Sequence, residues 1–183
     1  MGKGIVETLK KEFPLVDEWV SSEIHPETPP AGVLLTVRLP GLDWEGMYQN
    51  LRRTGAHYGI TFGAVTLLSN SRLALEASEY ARDHGSFEEF HEKVFQAYFT
   101  EVKDIGRMDV IMDVARSAGL DTEGLTAALQ EGRYRAKLQK AQQESQRQDI
   151  TGVPTFIIDE RYKIVGAQPL EVFRDTLCSL GKK

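Results

Sequence analysis

The residues best suited to chemistry form one short run, Gly152-Val153-Pro154-Thr155-Phe156. An X-Pro bond takes the cis form far more readily than other peptide bonds, and a cis proline is usually kept for local geometry. A cis bond before Pro154 would expose the backbone of Val153, whose amide and carbonyl could then pair with an extended peptide as an added strand. Thiol chemistry has little to draw on, because the chain holds one cysteine, Cys178. One thiol excludes a disulfide framework within the chain. At 100° per residue Cys178 falls about 80° round its helix from Leu170, and without a resolving partner it reads as a small semi-buried filler. His25, His57, His84 and His91 stand apart, with no HExxH-like pair. Neither a metal site nor a bound cofactor is expected from them.

The elements that must position the 152–156 run follow from periodicity. Ile5, Val6, Leu9 and Phe13 recur at helical spacing, and Pro14 stops that helix, predicted over 3–13. No capping segment precedes it, although the first amides of a helix need partners. Residues 15–24 read as a strand, followed by a rigid loop, His25-Pro26-Glu27-Thr28-Pro29-Pro30. Residues 33–39 read as a short strand or extended segment.

From Asp43 to Asp149 the pattern is helical. Asp43, the run Ser69-Asn70-Ser71, Ser86 with Glu89 as a capping box, and Asp121 are the expected helix starts. Gly119 is an expected stop. Phe87, Phe90, Val94, Phe95 and Tyr98 form an aromatic stripe that reads as core, with a peptide groove as the sharper alternative. The polar helix 133–149 reads as a solvated face. A hairpin follows, with strands at 155–158 and 162–165, and then a helix opened by Pro169. The order predicts an α/β fold interrupted by a helical insertion: residues 1–40 and 150–183 as one unit, 41–149 as the insertion.

Composition sets outer limits. A net charge of -5 with 22 scattered basic residues argues against a nucleic-acid surface. No apolar run approaches the ~20 residues of a bilayer-spanning helix. Residues 1–14 lack the apolar stretch of a secretory signal.

The run GVPTF, leading into a hairpin that ends in Gly166-Ala167-Gln168, resembles the cytosolic FrnE-like branch of the DsbA family. The resemblance extends over the chain, through the His25-Pro26 loop, the Asn70-Ser71 helix start and Phe95-Gln96-Ala97-Tyr98-Phe99. It implies a thioredoxin-like fold with a large helical insertion, a cis bond before Pro154 whose loop faces the catalytic cysteines, and a protein or peptide thiol or disulfide as substrate. Gly152, Val153, Pro154 and Thr155 would bind that substrate. His25, on the end of its strand near the active-site face, would touch it or stay a surface residue. The resemblance also implies a cytoplasmic protein.

The chain departs from the family at its start. Family members open with a strand and a Cys-x-x-Cys motif at the head of the first helix, where the helix terminus lowers the thiol pKa. Met1-Gly2-Lys3 resembles the residues that follow that motif. The implied first strand and dithiol would lie upstream of Met1, making this chain a fragment; a short paralogue without redox function is the alternative. The missing strand would be central in the sheet, leaving edges that a second copy or the 33–39 segment would fill. Three functions follow: a DsbA/FrnE-type oxidoreductase inactive in this chain for want of its dithiol, a glutathione-dependent isomerase of the hydroxychromene-carboxylate kind, or a non-catalytic peptide-binding protein.

Overall fold

The computed structural model describes residues 1–181. Two hydrophobic clusters organise it. The first is built by α1 (Gly2–Leu9), the hairpin strands β3 (Thr155–Ile158) and β4 (Tyr162–Val165), and α9 (Leu170–Ser179). Ile5 and Leu9, one turn apart on α1, meet Ile164, Phe173 and Leu177, and Phe13, Leu15, Tyr58, Phe156, Ile158 and Leu170 close around them. The rings of Phe156 and Phe173 meet edge to face at 4.8 Å. Arg174 ties α9 to the turn after α1 through a two-pronged pairing with Glu12, at 2.7 and 2.8 Å. The hairpin is antiparallel, with Thr155 opposite Val165 and Ile158 opposite Tyr162. Its turn residues Asp159 and Glu160 both have positive φ, 54° and 57°. Three residues, Asp159, Glu160 and Arg161, join Ile158 to Tyr162, and the Arg161 amide donates back to the Ile158 carbonyl at 3.1 Å.

The second cluster belongs to the helical block. It is built from α4 (Arg72–Asp83), α5 (Phe87–Phe95) with a π-helical turn at Gln96–Thr100, α6 (Met108–Ser117) and α7 (Thr122–Gln130). Ala77, Ala81, Phe90, Ile111, Ala115, Leu125 and Ala128 are fully enclosed there. Small residues on α4 let the neighbouring helices approach closely. Asp121 caps α7 as its type predicts, accepting from the amides of Glu123 and Gly124. Asp43 does the same for α3 (Trp44–Ala56), accepting from Gly46, and Asn70 accepts from the amide of Arg72. The Ser86–Glu89 capping box does not form: the Ser86 side chain makes no cap bond. Its backbone φ of -117° with ψ of 20° departs from the extended conformation that aims a cap hydroxyl at the helix amides.

Three further expectations are corrected. Residues 33–39 form a two-residue strand, β1 (Val33–Leu34), paired with β2 (Leu67–Leu68), and then one helical turn, α2 (Leu35–Arg38). Cys178 is exposed rather than semi-buried. The polar helix α8 (Arg135–Arg147) is more than a solvated face. It buries Leu138 and Ser145 and sends Lys137 inward to Glu79 at 2.6 Å.

The strand expected at 15–24 is also absent. Burial still alternates residue by residue from Phe13 to Val20, with Val16 and Val20 outward at 101% and 64% exposure. That is the pleat of a strand without its ladder. Among the described residues β3 pairs only with β4, so no sheet edge meets this segment. Side chains of the helical block hold it instead. Arg82 donates to the Trp19 carbonyl at 2.7 Å, Ser21 donates to Glu79 at 2.7 Å, and Gln142 accepts from the Glu23 amide at 3.1 Å.

Candidate functional site

The first turn of α1 is where three parts of the chain meet. On one side lies the 152–155 loop. The Val153–Pro154 bond is cis, and Gly2 packs against Pro154 so closely that a Cβ on Gly2 would stand 3.0 Å from Pro154 Cβ. Thr155 fixes the loop by donating its hydroxyl to the Gly152 carbonyl at 2.7 Å. The Gly166 amide donates to the Pro154 carbonyl at 2.8 Å, closing the hairpin behind it. Gly166 has φ 83°, a conformation that suits glycine, and Gln168 donates to the Val165 carbonyl at 2.9 Å. The Gly-Ala-Gln run thus anchors the loop from the far end of the hairpin. Val153 itself is left 63% exposed.

On the second side, Gly4 lies against Tyr58 from the segment after α3. On the third, Lys3 reaches α5 and pairs with Glu92 at 2.5 Å. That contact brings the aromatic stripe to the site, and the stripe divides in two. Phe90, Val94 and Ala97 enter the core. Phe87, His91, Phe95 and Phe99, each four residues apart, form a row on another face. Consecutive rings along it stand 5.0, 4.3 and 5.8 Å apart. Phe95 and Phe99 remain 36% and 37% exposed. Trp19 joins the row at His91 (4.8 Å) and Phe62 at Phe99 (5.9 Å). Arg82 lies over the Phe87 ring at 3.8 Å, within cation–π range. Widening of the helix to the π form at Gln96–Thr100 is of a kind often found at functional sites.

His91 sits in the middle of this row. Burial pushes its imidazole down to about 4; the charges of Lys3 and Arg82 act in the same direction and Glu92 opposes them. The ring is therefore neutral at pH 7. Its Nδ1 is buried and makes no hydrogen bond.

Of the residues singled out from sequence, Gly152, Val153, Pro154 and Thr155 form one side of this meeting point. His25 is not brought to it. That exposed ring lies 3.4 Å from both Glu27 and Arg38, which pair with each other at 2.9 Å. Lys3, Tyr58, His91 and Glu92 were not legible as a site. The i, i+4 spacing of Phe87, His91, Phe95 and Phe99 was the available signal, and the core reading absorbed it. Among the described residues no group of three or more acidic, histidine or cysteine side chains is arranged to hold a metal, and no helix is long and apolar enough to cross a membrane.

Comparison with known proteins fits this geometry. Residues 16–178 match the DSBA-like thioredoxin domain. The whole chain aligns with 91% of the uncharacterized protein YwbO of Bacillus subtilis (strain 168), at 31% identity over 190 residues. The crystal structure of a probable DsbA oxidoreductase from Streptomyces coelicolor superposes with a TM-score of 0.87. That match covers 100% of this chain and 84% of the other, and at 24% identity it speaks for the fold. With the loop, the hairpin and the helical block each in place, the chain belongs to the DsbA-like thioredoxin domain family.

Proposed function

We propose that this chain is the peptide-binding body of a thiol–disulfide oxidoreductase of the DsbA type, in the FrnE-like cytosolic branch. Residues 1–183 alone do not perform dithiol exchange. The observation that carries the reading is the exposed Val153 beside the first turn of α1, with Gly2 in contact with Pro154. An extended protein or peptide segment pairs with the Val153 backbone as an added strand, which sets its cysteine sulfur at the head of the helix. In dithiol exchange a thiolate attacks the substrate disulfide, expels one substrate thiolate, and forms a mixed disulfide; a second thiolate then attacks that bond and releases the other substrate sulfur. The second step needs two thiols in one site. This sequence holds one, Cys178, on α9. The fold shared with a probable DsbA oxidoreductase supports the same reading.

Two measurements test it. Reduction of insulin by dithiothreitol should run at the uncatalysed rate in the presence of this chain. An extended peptide with a central cysteine should move the amide resonances of Val153 and Thr155. Shifts confined to other surfaces would defeat the reading. Isomerisation of a hydroxychromene carboxylate dependent on glutathione would replace it with the isomerase activity.

A further inference from the structure

The hairpin has one closed edge and one open edge. The Gly166 amide donates to the Pro154 carbonyl, and facing pairs in an antiparallel ladder alternate between bonded and unbonded. Phe156 and Ile164 therefore exchange ladder bonds, while Thr155 and Ile157, opposite Val165 and Lys163, turn their amides and carbonyls away from β4. On β4 the outward Val165 carbonyl is taken by the Gln168 side chain at 2.9 Å. On β3 the outward backbone groups of Thr155 and Ile157 meet no hydrogen-bonding partner among the described residues. The strand Thr-Phe-Ile-Ile also carries none of the charges, prolines or bulges that usually guard an edge.

A second open backbone lies over the same core. Residues 15–23 are tied to the helical block through the Trp19 carbonyl, which accepts from Arg82, and the Glu23 amide, which donates to Gln142. Successive residues of an extended chain present their backbone groups to opposite edges. The odd-numbered residues thus face the block. Val16, Glu18 and Val20 turn their amides and carbonyls the other way, where no described residue bonds to them. Phe13 and Leu15 of this stretch and Phe156 and Ile158 of β3 enter one cluster. The helix α1 runs beneath both, with Gly2 against Pro154 and Phe156 and Lys10 paired with Asp17. The two stretches therefore form one layer, each with an unbonded edge.

We propose that one extended segment of another polypeptide binds as a shared strand between β3 and residues 16–20, giving the order β4, β3, inserted strand, 16–20. The slot selects its occupant. A strand bonded along both sides must bring two free edges, and none of this chain's own strands has them. β3 is held by β4, β1 by β2, and 15–23 by the helical block. A second folded copy therefore does not fit, and the occupant is a single unpaired segment. Apolar side chains border both faces of the slot, with Val16, Val20 and Ile157 outward and exposed. A strand enclosed in this way is a continuous β-branched run, about five residues long and free of proline. The exposed Glu18 and a net charge of -5 favour basic residues at its ends. The site lies along β3 beyond Pro154 and is independent of peptide docking at Val153.

The probe is the peptide acetyl-Lys-Thr-Val-Ile-Val-Thr-Lys-amide, titrated into the full chain and followed by calorimetry and amide hydrogen exchange. In the free chain the amides of Val16, Glu18, Val20, Thr155 and Ile157 should exchange as exposed groups, while that of Phe156, bonded to β4, is slowed. Peptide at roughly ten times its Kd should slow all five about tenfold. Ile157→Pro and Glu18→Pro each remove one outward donor and leave the β3–β4 ladder intact. Each should weaken binding at least about fivefold, the factor that one net hydrogen bond supplies. Glu18 is exposed, so its variant carries the test if Ile157→Pro fails to fold. Absence of binding, protection along one edge only, or equal binding of a peptide with proline in place of isoleucine overturns the proposal. Protection of the same amides that grows with protein concentration in the absence of peptide overturns it in favour of a second copy. Docking at Val153 is left standing in each case.

Discussion

Gly4 and Tyr58 meet so closely that a Cβ on Gly4 would stand 2.7 Å from Cβ, Cγ and Cδ1 of the tyrosine. These atoms are the root of the side chain, so a rotamer change does not clear them. Gly4→Ala gains about 1 kcal/mol in helix propensity and meets an overpacking cost of about 1–3 kcal/mol. The net expectation is a loss of about 1 kcal/mol in urea unfolding. Because α1 must lift to relieve the contact, Gly2 leaves Pro154 and peptide affinity should fall as well. A stabilised variant with unchanged binding would contradict the packing described at this turn.

Glu76 and Glu79 lie one turn apart on α4, both nearly fully buried, and respond to pH in opposite senses. Burial raises the pKa of Glu76; Arg135 and Arg72 oppose it without prevailing. Its Oε2 has no partner. For Glu79 burial acts upward too, but hydrogen bonds from Lys137 and Ser21 and the charges of Lys137 and Arg82 outweigh it, and the pKa falls below 4.5. A depressed folded-state pKa gives stability that is present above the unfolded value and lost as pH falls through the folded one. A raised pKa gives stability that is complete below the unfolded value and lost as pH rises through the folded one. Glu79→Gln should therefore destabilise the chain at pH 7, and that difference should shrink as pH falls below 4.5 toward the lowered folded-state pKa. Glu76→Gln should be neutral or stabilising at pH 7. Urea midpoints at pH 7 and pH 4 check both signs.

Two helix starts that look alike in sequence should differ on mutation. Asp121→Ala removes the acceptor for the Glu123 and Gly124 amides and should cost about 1 kcal/mol. Ser86→Ala removes a hydroxyl that makes no cap bond and should change stability by less than about 0.5 kcal/mol. Thermal unfolding of the two variants side by side is sufficient.

The two faces of the aromatic stripe should separate in the same way. Phe90 is 0% exposed, and Phe90→Ala should cost about 3–5 kcal/mol. Phe99 is 37% exposed, and Phe99→Ala should cost nearer 1 kcal/mol, within the ordinary range for partly buried sites. Equal losses would mean that the outer row is core after all.

How much of this was legible depended on whether the determining contact was local. The hairpin, the Asp121 and Asp43 caps and the 152–155 loop rest on residues within a few positions of one another. The segment 15–24 shows the boundary. Its apolar residues come in pairs, Leu15-Val16 and Trp19-Val20, rather than alternating; burial alternates along it, but a ladder needs a neighbour, and which backbone lies alongside is a long-range fact. The same holds for α8: Lys137 and Gln142 look like surface residues in a polar stretch until Glu79 and the Glu23 amide are placed opposite them. His91 was hidden for a different reason. Its spacing made it one more ring in a stripe, and its unpartnered nitrogen is a property of three dimensions only.

The exposed Cys178 gives the chain a single chemical handle. It lies on α9, whose Phe173 and Leu177 pack with Ile5 and Leu9 of α1, so a maleimide dye would attach at one defined atom one helix away from the peptide loop. Fluorescence from that dye would report movement of α1 when a peptide docks. Any covalent adduct formed with an activated disulfide probe would carry a stoichiometry of one, and Cys178→Ser would supply a thiol-free background for every sulfur-dependent measurement.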